Sequence, residues 1–354
     1  MTQAASEIRN PMSEIGALLA AAEEAEGQYD HETAVAYYTE ALELPDLTLE
    51  ERYEIVNGRT WTYINWGYFN QAADDWKELI SLARELKNQT TLAEAIIFPG
   101  FDISRWPLLG ELAEEALLIA GELNDRRLLA GAKMLKAKSI TFQEWLDANE
   151  ALQMARDLGD DDLIFEFIRL IVSWAPWGAE KDRPKPAELA SEARLLAQQS
   201  DSLAQQAEAS KLSGWHETDL ALALAYVRQA LSAYQTLNDQ EGSDMMANSI
   251  GLRLIQMGLF HRGLAYIKLS AEGALRREDE VWYANSLDGI GRAYLGSMQL
   301  DEAEQAFREG LGLPALMEEW RLGHVFGLGR VALARERMEE AIDHFQPVWS
   351  AGGT

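Results

Sequence analysis

Apolar side chains recur along this chain at the three- and four-residue spacing that is typical of amphipathic helices. The clearest stretch runs from Ala284 to Leu313 and holds two apolar stripes, which Gly296 and Ser297 separate. The stripes consist of Leu287, Ile290 and Tyr294, and then of Ala303, Phe307 and Leu311. Pro314 follows the second stripe, as proline commonly follows a helix. The pattern predicts two antiparallel helices that need neighbours to bury their apolar faces.

The same hairpin pattern recurs from one end of the sequence to the other. A small residue lies within each predicted second helix, and these residues are Ala34, Ala72, Ala113, Ala148, Ala190, Ala223, Gly263, Ala303 and Ala341. Their mean spacing is (341 − 34)/8, or about 38 residues. Helices that alternate at one period, without the alternating pattern of β-strands, predict an all-α fold. The expected architecture is an α-solenoid of about nine antiparallel helical hairpins.

Two groups of residues make this pattern resemble a known family. They are Leu287, Ile290, Gly291, Tyr294, Ala303, Phe307 and Gly310, and Ala34, Tyr38, Ala41 and Pro45. The chain resembles the tetratricopeptide repeat family, although its period is longer than the family's common spacing of about 34 residues. It is more similar to the long-period bacterial arrays that serve as sensor or scaffold portions of signalling proteins. The resemblance implies a right-handed superhelix whose first helices line the concave surface.

The pattern predicts a single repeat domain over 1–354 with two overlong hairpin loops, near 98–107 and 174–186. Proline and glycine cluster in both segments. Their aromatic residues are Phe98, Phe101, Trp106, Trp174 and Trp177. One interpretation makes these rings, above all Trp174 and Trp177, anchors for a partner. The other interpretation folds each ring back into its own hairpin.

Composition narrows the classes of partner. The chain has 31 basic and 58 acidic residues, so its formal net charge is −27. This charge disfavours nucleic acid and anionic membrane surfaces, and favours either solubility alone or a basic partner. The chain has no cysteine and no long apolar run, and Met1 to Pro11 has no apolar signal core. We therefore expect a soluble, cytoplasmic protein.

A second set of candidate residues lies on the predicted first helices. Hairpins four to nine each carry one cation, and these are Lys133, Arg169, Lys211, Arg253, Arg292 and Arg330. Asn57, Asn248 and Asn285, with Trp61, fall near the same surface. Together they would suit an extended peptide that carries acidic groups or a C-terminal carboxylate. The alternative is that each cation lies near a helix C-terminus and only complements the helix macrodipole.

Signatures of an enzyme are weak. Gly289 and Gly291, and Gly327 and Gly329, imitate part of a dinucleotide fingerprint, but neither pair follows a strand. Their separation, 327 − 289 = 38, is the repeat spacing, so we expect these glycines to permit close helix packing. The five histidines lie in different hairpins without metal-ligand spacing. The sequence therefore predicts no catalytic activity, no metal and no cofactor.

The sequence predicts a scaffold that binds a protein or peptide. The alternative function is a ligand-sensing, regulatory portion of a larger bacterial signalling protein, such as an ATPase, a cyclase or a transcription regulator. No polar capping helix is evident after Phe345, and terminal repeats normally need one. The expected explanations are that the chain is a piece of a longer protein, or that a partner or a second copy covers this end. A homodimer through the uncapped C-terminal end is thus one expectation.

Overall fold

A computed structural model describes residues 11–103, 108–139, 145–174, 185–314 and 318–352. These residues form eighteen α-helices and no strand. The backbone contacts separate two compact units, Met1–Gln205 with Thr236–Asp239, and Gln206–Gln235 with Gln240–Thr354. We call them unit 1 and unit 2. The prediction of a single domain stays a prediction, since the repeat pattern of the sequence runs through both units.

The helices pair into nine successive hairpins within the described residues. The hairpins of unit 1 are α1 (Pro11–Gly27) with α2 (His31–Leu42), α3 (Leu49–Trp66) with α4 (Phe69–Leu86), α5 (Gln89–Gly100) with α6 (Leu109–Leu123), α7 (Arg126–Ser139) with α8 (Trp145–Leu158), and α9 (Asp161–Trp174) with α10 (Pro186–Gln199). The sixth pair is α11 (Leu203–His216), whose first residues belong to unit 1, with α12 (Leu220–Thr236). Unit 2 continues with α13 (Gln240–Gln256) and α14 (Phe260–Arg276), α15 (Glu280–Gly296) and α16 (Leu300–Leu311), and α17 (Glu318–Ala334) and α18 (Met338–Gly352).

Local sequence signals explain where helices begin and end. The Thr48 side chain accepts a hydrogen bond from the Glu51 backbone at the start of α3, and the Glu51 carboxylate accepts one in return from the Thr48 backbone. Such a capping box satisfies two N–H groups that the first turn leaves unpaired. Gly67 ends α3 with a φ of 80°, a conformation that glycine adopts without steric cost. The hairpin connections are therefore encoded locally.

The core of each unit lies between first and second helices. The small residues that define the repeat are buried on the second helices of all nine hairpins. Within each unit, first helices also contact the next first helix, as α5 contacts α7 and α13 contacts α15. We call this set the first-helix layer. The predicted all-α repeat architecture is confirmed.

Phe307 shows why glycines recur in this repeat. Its ring is fully buried on α16, between α15 and α17. A Cβ atom added at Gly291 would lie 2.5 Å from the ring, and one added at Gly327 would lie closer still. The two glycines therefore let both first helices approach one aromatic ring, as the sequence predicted for close helix packing.

The first predicted loop begins later than the sequence indicated. Phe98, Pro99 and Gly100 are the last residues of α5 rather than part of a loop. Phe101 is 2% exposed and packs edge-on against Phe167 of α9, with ring centroids 5.9 Å apart. It thus folds back into the core and is not an exposed anchor. Trp106, Trp177 and the side chain of Trp174 lie outside the described residues, so their predicted role stays a prediction.

Candidate partner-binding face on the first helices

The predicted site residues fall on first helices of both units. Asn57 and Trp61 lie on α3 of unit 1. Asn248 and Arg253 lie on α13, Asn285 and Arg292 on α15, and Arg330 on α17, all in unit 2. Spacings of 40 and 38 residues between the last three first helices, α13, α15 and α17, make positions 252, 292 and 330 equivalent. Arg292 and Arg330 therefore occupy equivalent positions on successive first helices, whereas Arg253 lies one residue after the equivalent position on α13.

Three polar residues on α15 form the most complete candidate site, and we call them the α15 polar stripe. Asn285, Asp288 and Arg292 follow one another at helical spacing on one side of the helix. Arg292 Nε donates to Asp288 Oδ2 across 2.7 Å, and the arginine side chain remains 47% exposed. Asp288 Oδ1 has no hydrogen-bond partner among the described residues, and Gly323 of α17 lies beside it. That oxygen is itself buried, so the groups of the stripe that a ligand can reach are the Asn285 amide and the Arg292 guanidinium.

Asn285 and Asn57 are accessible on first helices, and their predicted role in binding a partner stays a prediction. Each is half-buried on a first helix. No hydrogen bond from either amide to another described residue is present in the structure, so both amides can bond to a peptide backbone. Trp61 lies one helical turn from Asn57 and is also half-buried. Within each unit, the placement leaves these side chains accessible on a first helix.

Asn248 and Arg253 belong to helix packing rather than to an accessible face. Asn248 is 2% exposed, so it cannot meet a ligand without a rearrangement of α13. Arg253 Nη2 donates to the backbone oxygens of Gly214 at 3.1 Å and Trp215 at 3.2 Å. These carbonyls belong to the last turn of α11. Burial lowers the pKa of this guanidinium. Arg253 thus caps a neighbouring helix, which is the dipole role that the sequence offered as the alternative.

The predicted cationic strip is largely neutralised by nearby acidic side chains. Lys133 Nζ lies 2.9 Å from Glu150 Oε2, and Lys211 Nζ lies 2.7 Å from a Glu208 oxygen. Arg169 pairs with Asp102 at 2.7 Å and also with Glu166. Arg330, by contrast, is exposed and has no ion pair with another described residue. Arg292 and Arg330 are therefore the exposed cations on which the predicted strip depends.

Two features of this layer were not predicted. Trp215 Nε1 donates to Ser249 Oγ at 3.0 Å, which joins α11 to α13 in unit 2, and Lys211 lies over the same indole ring. In unit 1, Lys138 is buried and donates to the backbone oxygens of Gly100 and Phe101. The sequence alone does not reveal these roles, because a tryptophan or a lysine near a helix end commonly lies at the surface with its polar tip in water.

The described residues contain no group of histidines and carboxylates that could hold a metal ion. His324 is fully buried against Phe307, with ring centroids 6.2 Å apart, and burial lowers its pKa. This histidine packs between helices and has no carboxylate within salt-bridge distance among the described residues. No described helix is long and apolar enough to span a membrane.

The fold is a tetratricopeptide-repeat-like α-solenoid. It is similar to a signal transduction ATPase with numerous domains (STAND) protein with a tetratricopeptide repeat sensor from Pyrococcus horikoshii, with a TM-score of 0.54 and 12% identity over 95% of this chain and 52% of that chain. It is also similar to the human IFIT1 dimer with PPP-AAAA, with a TM-score of 0.54 and 16% identity over 98% of this chain and 78% of that chain. This chain therefore spans about half the length of the archaeal protein.

No protein-family model matches the chain, and no curated protein sequence does. At these identities the similarity defines the fold alone. The resemblance predicted from the repeat residues is confirmed at that level.

Proposed function

We propose that the chain is a non-catalytic scaffold that binds a protein or peptide through the first helices of unit 2. The observation that carries this proposal is the α15 polar stripe. One oxygen of Asp288 is held by Arg292, and the other has no partner among the described residues. The second oxygen is buried, so Asp288 serves the site by holding the Arg292 side chain, 47% of which stays exposed and can meet a ligand.

The stripe suits an extended peptide. The half-buried Asn285 amide can bond both to a backbone N–H and to a carbonyl of the peptide. Arg292 and Arg330, at equivalent positions of α15 and α17, can bind an acidic side chain or a C-terminal carboxylate. The proposed ligand is therefore a peptide segment with at least one carboxylate, bound along the first-helix layer of unit 2.

The test compares two doubly substituted variants that carry the same change in charge. Arg292→Glu/Arg330→Glu alters first helices, whereas Arg262→Glu/Arg308→Glu alters the exposed sides of the second helices α14 and α16. Affinity capture from the native host, followed by mass spectrometry, identifies proteins that bind the wild type. A purified partner is then titrated with each variant at rising salt.

We expect the first-helix variant to lose binding by at least about tenfold, as for charge-assisted hydrogen bonds worth about 1.5–3 kcal/mol. The second-helix variant should bind like the wild type. Equal affinity for both variants would remove the proposed face. Failure of the wild type to bind any protein would remove the scaffold function itself.

A second candidate function is the sensor portion of a larger signalling protein. It is favoured by the similarity to the archaeal protein, which carries a tetratricopeptide repeat sensor. The chain has no cysteine, so Leu269→Cys and Ile342→Cys allow two dyes to be placed within unit 2. A sensor should change the energy transfer between these dyes when the partner binds. Unchanged transfer at saturating partner would contradict the sensor role and leave the scaffold role intact.

A further inference from the structure

Two tryptophans near the α15 polar stripe form an aromatic pair that the proposed function does not use. Trp282 lies in the first turn of α15, and Trp320 lies in the first turn of α17. Their ring centroids are 6.2 Å apart, with an angle of 70° between the ring planes, and both residues are half-buried. We call these two residues the tryptophan pair.

The repeat places the tryptophan pair in register with the two exposed arginines. A spacing of 38 residues takes Trp282 to Trp320, and the same spacing takes Arg292 to Arg330. On each helix the tryptophan therefore precedes the arginine by ten residues, which is about 15 Å along the helix axis. The first helices α15 and α17 thus carry an aromatic pair toward one end and a cationic pair toward the other.

The surface between the two pairs has room for a peptide backbone. Asn285 lies one helical turn after Trp282, and Gly323 occupies the equivalent position on α17. Among the described residues, a Cβ atom added at Gly323 would meet only Asp288, at an ordinary contact distance of 3.7 Å. A peptide backbone can therefore approach α17 closely at Gly323 and form hydrogen bonds with the Asn285 amide of α15.

The contacts that fix Trp282 leave only the apolar part of its ring for a ligand. Trp282 Nε1 donates to Ser270 Oγ of α14 at 3.0 Å, and Ser270 is fully buried. The Trp282 backbone N–H donates to Asp279 Oδ1 at 3.0 Å, which caps α15. The indole N–H is the only polar group of a tryptophan side chain, so the group that fits against Trp282 is itself apolar.

The preceding first helix shows that the repeat does not require these side chains. On α13, forty residues earlier, the position equivalent to Trp282 is Gly242, and the position equivalent to Arg292 is Leu252. Packing of first helices in unit 2 is therefore possible without a tryptophan or an arginine at these positions. The combination of the two pairs belongs to α15 and α17, where the α15 polar stripe also lies.

We propose that the tryptophan pair binds one aromatic side chain of the peptide that the α15 polar stripe binds. The proposal rests on the proposed function, because Arg292 and Arg330 fix the carboxylate of that peptide. A distance of about 15 Å corresponds to about four or five residues of an extended chain, at about 3.3 Å per residue. The ligand class is therefore a peptide with an aromatic residue about four or five positions from a carboxylate.

Affinity selection with the full chain tests this ligand class. The probe is a synthetic library of short random peptides with free C-termini, and the bound peptides are identified by mass spectrometry. The wild type should enrich peptides with an aromatic residue about four or five positions from an acidic residue or from the C-terminus. If no peptide is enriched, both the proposed function and this inference are contradicted.

Two other results would overturn this inference and leave the proposed function intact. One is enrichment of acidic peptides that have no aromatic residue at a constant separation from the carboxylate. The other is lysine or arginine at the position expected for the aromatic residue, because the tryptophan pair would then bind a cation.

The most enriched peptide is then labelled and titrated by fluorescence anisotropy. Replacing its aromatic residue with alanine should weaken binding to the wild type by at least about tenfold. Trp320→Ala should weaken binding of the original peptide to a similar degree and cause little further loss for the alanine peptide. The matched control is Trp215→Ala, which removes a half-buried tryptophan from the first helix α11, and it should bind like the wild type.

The peptide series on the wild type keeps the inference testable even if Trp320→Ala does not fold. Insertion of two glycines between the aromatic residue and the carboxylate should weaken binding as much as removal of the aromatic ring does. Unchanged affinity after this insertion would overturn the inference. So would an equal loss of affinity in Trp320→Ala and Trp215→Ala, since Trp320 would then act only through the fold.

Discussion

Lys138 is the residue whose environment departs most from its ordinary chemistry. Its ammonium group is buried in unit 1, where Nζ donates to Gly100 O at 3.3 Å and to Phe101 O. Burial lowers the pKa of Lys138 to about 7, with nearby Arg169 also lowering it and Asp102 and Glu166 opposing the shift. A neutral amine can still donate both hydrogen bonds. The residue therefore ties the end of α5 to α7 at little electrostatic cost once it is deprotonated.

This pKa shift predicts a pH dependence of stability. Between the folded pKa of about 7 and the ordinary value of 10.5, the unfolded chain binds the proton and the folded chain does not. The free energy of unfolding should therefore rise with pH across this window, by at most about 1.4 kcal/mol per pH unit. Urea unfolding of the wild type and of Lys138→Met, at about pH 7.5 and about pH 9.5, measures the difference. Parallel pH profiles would show that the lysine is not held neutral.

At this scale, sequence predicts packing residues better than polar ones. Gly291, Ala303 and Phe307 were identified from repetition alone, because the same sizes recur wherever helices approach closely. Lys138 does not stand out, since a lysine in the last turn of a helix is the expected complement to its dipole. Asp288 does not stand out either. Whether each oxygen of a carboxylate has a hydrogen-bond partner depends on interatomic distances, and the spacing of residues along the sequence does not reveal these.

At the scale of elements, α5 shows why one helix boundary was misplaced. Pro99 lacks an N–H, so the Ala95 carbonyl four residues earlier loses its helical partner. Trp76 of α4 supplies the missing donor, because its Nε1 lies 2.6 Å from Ala95 O. The helix can therefore continue through Pro99 to Gly100. A proline predicts a helix end from local chemistry, but a tryptophan from another helix changes the outcome.

Substitution of these two residues should show coupling. Trp76→Phe leaves Ala95 O buried without a donor and also removes volume, so we expect it to lower the free energy of unfolding by about 2–4 kcal/mol. In a Pro99→Ala chain the restored N–H can bond to Ala95 O, and Trp76→Phe should then cost about 1 kcal/mol less. Urea unfolding of the two single variants and the double variant completes the cycle. Strictly additive effects would contradict this account of the helix end.

At the scale of the whole molecule, the sequence predicted the number and order of hairpins but not the division into two units. The repeat pattern is continuous along the chain, so nothing in it shows where contacts between helices are fewer. Both units are built from nearest-neighbour contacts between successive helices. In such arrays, stability is nearly a sum of local terms, and a local change need not reach distant repeats. A substitution that destabilises one unit should therefore leave the stability of the other unit unchanged, and this can be measured.

Gly327→Ala should loosen unit 2 and leave unit 1 unchanged. The added methyl group meets the fully buried Phe307 ring, and overpacking of this kind costs about 1–3 kcal/mol. Hydrogen exchange followed by mass spectrometry should show faster exchange in α15–α18, by about tenfold for each 1.4 kcal/mol, and wild-type protection in α3–α6. Gly121→Ala is the control, because nothing lies within 4 Å of its added Cβ and exchange in unit 2 should not change. Equal loss of protection in α3–α6 and α15–α18 would mean that the two units open as one cooperative body.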